Sequence, residues 1–109
     1  MKVEHSCGNV FADMGLPNPE ELLAKAELAI VITHIIHDSG LTQRLVATKL
    51  GVAASDVSDL MRGRFARFSQ ERLERFLNKL DHDVHIQIAP RPKSTRRPAR
   101  VTVERVAAF

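Results

Sequence analysis

The sequence predicts an all-α domain of short helices joined by tight turns and closed by a short C-terminal strand. Three observations carry this. All five prolines lie at 17, 19, 90, 92 and 98, leaving residues 20–89 free of the strongest helix breaker. Inside that stretch the only glycines are Gly40, Gly51 and Gly63, each where a helix of about three turns would stop. After helix-spaced apolar residues, Val84, Ile86 and Ile88 alternate with His85 and Gln87, a change of period from helix to strand.

The first helix starts at Asn18-Pro19-Glu20-Glu21. Asn18 is the expected cap, Pro19 suits the first helical position, and Glu21 faces the positive end of the dipole. The helix runs to about Asp38. Its stretch Ala29–Ile36 is β-branched enough to pass for a strand, but the cap and an unbroken length of about 20 residues favour helix. Apolar residues wrap much of its circumference, so it should be buried on more than one face. A second helix starts after Thr42 and carries Leu45, Val46 and Leu50 inward. A third carries Val57, Leu60 and Met61. The fourth has Ser69 as cap, Phe68 and Leu73 as a staple, and Leu73, Phe76, Leu77 and Leu80 on one face. The strand Val84–Ile88 that follows has no obvious partner within the helical domain, and Val84, Ile86 and Ile88 are expected to pair with a second copy of the chain.

A chain of 109 residues with 44% hydrophobic content fits one such domain. Residues 1–17 read as an extended arm with apolar anchors at Val10, Phe11 and Leu16. Residues 18–89 form the helical domain, and residues 90–109 a basic, mobile tail with brief strand character at 101–106.

The composition excludes several classes. With 27% charged residues and no long apolar run, neither a membrane span nor a secretory leader is expected, and the cytoplasm is the default compartment. Cys7 is the only cysteine, so disulfide and zinc scaffolds drop out. His34 and His37 stand at a spacing that permits metal sharing but lack a third ligand nearby in sequence, and Cys7 with His5 lacks an orienting group. No phosphate-cradling loop or paired-carboxylate cleft is evident. Neither enzyme, cofactor nor metal is expected.

The net charge of +3 is unevenly distributed. Residues 1–40 hold two basic and six acidic residues, residues 41–80 eight basic and four acidic, and residues 91–109 six basic and one acidic. A polyanion partner for the second half of the chain follows.

The window Gln43–Arg62 meets the constraints of two helices crossing steeply through a tight turn. Ala47 is small at the closest approach, Gly51 tolerates positive φ, and Val46, Leu50, Val52, Val57 and Leu60 are apolar where the helices face each other and the core. Helix starts and Gln43 suit phosphate. Arg62, Arg64 and Arg67 follow the third helix where a nucleic-acid backbone would pass. Base reading falls to Ala53, Ala54, Ser55, Asp56, Ser58 and Asp59. An aspartate there can accept from a cytosine amino group, although it repels phosphate.

The stretch from Gly40-Leu41-Thr42-Gln43 through Gly51-Val52-Ala53-Ala54-Ser55-Asp56-Val57-Ser58-Asp59-Leu60-Met61-Arg62-Gly63-Arg64 resembles the phage-repressor and Cro-like, or xenobiotic-response-element (XRE), helix-turn-helix family. The arm from Gly8 to Glu21, Phe65-Ala66-Arg67-Phe68-Ser69 and the segment after the fourth helix are similar to a subgroup related to HigA-type antitoxins. The resemblance implies a lambda-repressor-like helical bundle, usually dimeric, that binds double-stranded DNA. It places Gln43 at the phosphates and the third helix in the major groove, and Thr42 beside Gln43 is counted among the DNA-binding residues. The chain departs from the family pattern at Ala53, where a capping Ser or Thr is common, and at Ala54, Asp56 and Asp59, where Gln and basic residues are common. Ser55 is an alternative cap for a helix starting later. Two functions follow from the resemblance: a sequence-specific transcriptional regulator of Cro/repressor type, or an antitoxin that sequesters an RNase-type toxin and autoregulates its operon. For the second, the acidic block at 1–40, with its arm and apolar first helix, is the expected toxin-holding part.

Overall fold

The computed structural model describes residues 2–3, 14–15 and 18–106. In chain order its elements are β1 (Lys2–Val3), α1 (Pro19–Ser39), α2 (Gln43–Leu50), α3 (Ala54–Met61), α4 (Gln70–Lys79) and β2 (Val103–Glu104).

Pro19 opens α1 as expected, but Asn18 does not cap it through its side chain. Asn18 stands at φ 53°, in the left-handed region, and only its carbonyl is engaged, accepting from the Leu22 amide at 3.1 Å. Along α1, residues from Leu23 to Ile36 are buried on more than one face. One side packs on α4 and α3, and β2 covers another. Each large apolar side chain withdrawn from water in this way contributes about 1.5–3 kcal/mol.

The short helices are bounded by local hydrogen bonds. Thr42 Oγ1 accepts from the Leu45 amide at 3.2 Å, and Ser69 Oγ accepts from the Arg72 amide at 3.1 Å. These bonds satisfy amides that have no partner within the helix. Both α2 and α3 end in the same double bond. Val52 N donates to Ala47 O (3.0 Å) and Gly51 N to Thr48 O (3.3 Å); Arg64 N donates to Asp59 O (2.8 Å) and Gly63 N to Leu60 O (3.1 Å). Gly51 at φ 73° and Gly63 at φ 79° supply the left-handed residue each closure needs. The pattern recurs after α4, with Asp81 at φ 63° and His82 N donating to Leu77 O at 3.0 Å.

The core is continuous across all four helices. Ile32, Val46, Leu50, Val57, Leu60, Phe68 and Leu73 are fully buried, and Phe68 meets Phe76 edge to face at 5.8 Å between ring centres. Ala47 is buried between α2 and α3 as the steep crossing requires, and Val52 packs against the core. Leu45 departs from expectation. It is 55% exposed, because on a helix of only two turns Val46, Ala47 and Leu50 already occupy the inward face.

The segment after α4 requires a second correction. Val84, Ile86 and Ile88 form no strand. Val84 is half-buried against the chain's own core, whereas Ile86 and Ile88 are exposed. The strand lies farther on, where β2 pairs antiparallel with β1 in the register Lys2↔Glu104 and Val3↔Val103. The alternation at 84–88 is compatible with a strand, but a strand forms where a partner backbone is within reach, and here that partner is β1. The prolines and basic residues between follow an irregular path. Arg91 Nη1 donates to the carbonyls of Thr95 (3.4 Å) and Arg97 (2.7 Å), closing a small loop before β2 returns to α1.

Candidate nucleic-acid interface

Exposure along α2 and α3 separates a core side from an outer side. Val57 and Leu60 are buried and Met61 is half-buried, whereas Ala53, Ala54, Ser55 and Arg62 are exposed, with Ser58 and Asp59 half-buried. At 100° per residue, Ser55, Asp59 and Arg62 fall on one ridge opposite Val57. At the start of α2, Thr42, Gln43 and Arg44 are also exposed. Arg44 was absent from the sequence-derived set, although a cation in the first turn after a phosphate-suited cap is a legible signal.

Ala53 occupies the cap position of α3, where no side-chain oxygen is available. Asp56 compensates. Its Oδ2 accepts from the Ala53 amide at 3.2 Å, supplying half of a capping box from inside the helix. Ser55 is therefore a helical residue of α3 and not its cap.

The largest difference from the sequence reading is at Arg67. Its Nη2 donates to Asp56 Oδ1 and, at 2.9 Å, to Asp59 Oδ2. Arg64 Nη1 lies 3.8 Å from Asp59 Oδ1. The Arg67 guanidinium also stacks 4.5 Å from the ring centre of Phe68. The bond from Arg67, followed by the Ala53 amide, holds the Asp56 carboxyl below its usual range; Asp56 and Asp59 in turn raise the affinity of Arg67 for its proton. Because the folded Asp56 value is depressed, the clasp contributes above the ordinary carboxylate range and is lost as pH falls through the depressed value. Asp56 and Asp59 thus stand beside an arginine and do not meet a nucleic acid as two bare negative charges. No local pattern reveals this pairing, since Arg67 lies 8 and 11 residues from its partners across a turn.

Two other basic residues have roles that sequence reasoning missed. Arg72 lies over the rings of Phe68 (4.9 Å) and Phe76 (5.5 Å). Lys79 Nζ donates to Leu50 O at 2.9 Å, joining α4 to the negative end of α2 beside the turn. Among the described residues no group of three His, Cys, Asp or Glu side chains could hold a metal ion, and no helix is long and apolar enough to cross a membrane. Cys7, His5 and the arm residues Val10, Phe11 and Leu16 lie outside the described residues.

Comparison with known proteins agrees with this geometry. No curated protein matches the chain. A family model described as a helix-turn-helix domain matches residues 10–89. A solved structure named "Putative XRE Family Transcriptional Regulator" is 40% identical, with a TM-score of 0.75 over 84% of this chain and 100% of its own. The chain belongs to the XRE family of helix-turn-helix proteins.

Proposed function

We propose that this chain is a sequence-specific regulator of transcription, of Cro/repressor type, that binds double-stranded DNA as a dimer. The observation that carries the reading is the outer side of the α2–α3 pair. There the small, exposed residues Ala53, Ala54 and Ser55 begin α3, with exposed Gln43 and Arg44 at the start of α2 and exposed Arg62 and Arg64 beyond its end. Small residues allow close approach to base edges and thymine methyls, and the flanking polar and cationic groups suit phosphates. In this reading Thr42, Gln43, Arg62 and Arg64 position the domain, while Ala53, Ala54, Ser55 and Ser58 face the bases. Val84, Ile86 and Ile88 remain the proposed dimer contact, now as an irregular apolar segment whose exposed isoleucines are available to a second copy. Two recognition helices would then lie about 34 Å apart, one turn of the duplex.

Gel-shift titration against a duplex enriched from a random pool tests this. Arg64→Ala weakens binding to all sequences and flattens the salt dependence by about one unit, whereas Ser58→Ala changes preference among sites. Absence of duplex binding at low salt overturns the reading. Light scattering of Ile86→Lys, expected to be monomeric, tests the dimer contact. The antitoxin reading has lost part of its basis, because the apolar residues of α1 are buried within the chain itself; the arm's apolar anchors Val10, Phe11 and Leu16, on which it otherwise rests, lie outside the described residues. Co-expression with the neighbouring reading frame separates it from a stand-alone regulator.

A further inference from the structure

We propose that Arg67, delivered by the α3–α4 loop and held by Asp56, Asp59 and Phe68, is a specificity-determining residue that donates to the acceptor edge of a guanine in the major groove. The inference rests on the DNA-binding reading above and assigns Arg67 a different task from the phosphate contact expected from sequence.

Four observations lead there. First, the aspartates are already engaged. Asp56 accepts from Arg67 and from the Ala53 amide, and Asp59 accepts from Arg67 and faces Arg64. Each carboxylate oxygen therefore has a partner within the protein, and these groups position other residues in place of reading a cytosine. Second, Arg67 is fixed on two sides, by the carboxylates bound to Nη2 and by the ring of the fully buried Phe68. An arginine immobilised before binding loses little rotamer freedom on contact. Third, its side chain is still half exposed, and among the described residues Nη1 and Nε have no hydrogen-bond partner. Nη1 therefore has N–H groups free to donate, and guanine is the base that presents two acceptors, O6 and N7, together in the major groove. Fourth, Asp59 shares the outer ridge of α3 with Ser55 and Arg62, so a guanidinium bound to Asp59 stands at the margin of the face proposed to enter the groove.

Charge decides between base and phosphate. Arg67 with Asp56 and Asp59 carries a net charge of −1 at neutral pH, whereas Arg64 only approaches Asp59 at 3.8 Å and stays largely exposed. A guanidinium already bound between two carboxylates releases few counterions and makes a poor phosphate anchor. A directed N–H donor keeps its geometric value in such a cluster.

The test uses the full chain and a pool of duplexes with a randomised central region. Wild type and Arg67→Ala are each selected to an enriched motif, and affinities are measured across salt concentrations. The wild-type motif should contain one guanine per half-site whose discrimination falls roughly tenfold in Arg67→Ala, with an unchanged salt slope and no rescue by Arg67→Lys. Independently of any change in folding, 7-deazaguanine at that guanine, which removes the N7 acceptor, should weaken wild-type binding and leave Arg67→Ala unaffected. A uniform loss with a slope reduced by about one, restored by Lys, would make Arg67 a phosphate contact and overturn the inference. An unchanged motif with only a lower melting temperature would reduce it to a structural clasp and overturn it equally. A wild-type chain that enriches no motif overturns the DNA-binding reading itself, an outcome distinct from the other two.

Discussion

Residues 42–80 and residues 81–106 are held by different means. Between Thr42 and Leu80, both helix caps and both turn closures use hydrogen bonds spanning no more than five residues. Beyond His82 the backbone has little regular structure, and its firmest anchor comes from far away: the Val103 amide donates at 2.8 Å to Oε2 of Glu27, 76 residues earlier. Glu27 is itself buried. The helix-turn-helix part is thus specified locally and then packed, whereas the C-terminal segment has a position only once α1 and β1 are in place. A region of the first kind should melt with the core. One of the second kind can detach while the core persists.

Three substitutions would break or sharpen that contrast. The largest effect is expected at Phe68, whose ring is fully buried, meets Phe76 and supports the guanidinium groups of Arg67 and Arg72. Phe68→Ala should cost about 3–5 kcal/mol in chemical denaturation, a large share of the roughly 5–15 kcal/mol that holds a domain, with the helices still unfolding as one unit. A loss confined to the α3–α4 loop would instead show that the loop is peripheral to the core.

Gly51→Ala comes next. The residue stands at φ 73°, and a Cβ there would lie 3.4 Å from Lys79 Nζ, an ordinary contact with a flexible group. Backbone strain is then the main term, about 1–2 kcal/mol. It should appear as a lower unfolding midpoint with unchanged denaturant sensitivity. No change in midpoint would mean that the α2–α3 turn tolerates other geometries, against the local-closure account.

The smallest global effect is expected at Val103→Pro, which removes the N–H donated to Glu27. Global unfolding should shift little, because detachment of the segment lets water solvate the Glu27 carboxylate, while hydrogen exchange accelerates at residues 101–106 and stays slow in α1 to α4. Equal acceleration throughout would join the two regions into one cooperative unit.

Most of residues 42–80 was legible because its instructions are short-range. Thr42 and Ser69 announce helix starts through one side-chain bond each, and Gly51 and Gly63 mark ends that demand positive φ. Where a local rule has competitors, legibility failed. Asn18 matched the composition of a cap, yet its left-handed backbone leaves only the carbonyl engaged. Leu45 fits a helical repeat, but a two-turn helix leaves it outside the buried face. Arg67 was found as a basic residue near the interface, while its partners on α3 were not, because charge pairing across a turn has no period to read.

The sequence by itself determined the all-α class, the boundaries of the short helices, the α2–α3 turn and, Leu45 apart, the core residues of the short helices, since each depends on backbone preferences and apolar spacing within a few residues. Tertiary structure alone decided three things: that Asp56 and Asp59 are bound by Arg67, that Lys79 completes the end of α2, and that of the two segments with strand character, 84–88 and 101–106, the second finds a partner and forms β2. The physical reason is common to all three. A charge or a strand edge gains stability only from a specific partner at short distance, and folding brings those partners together from positions that local sequence does not relate.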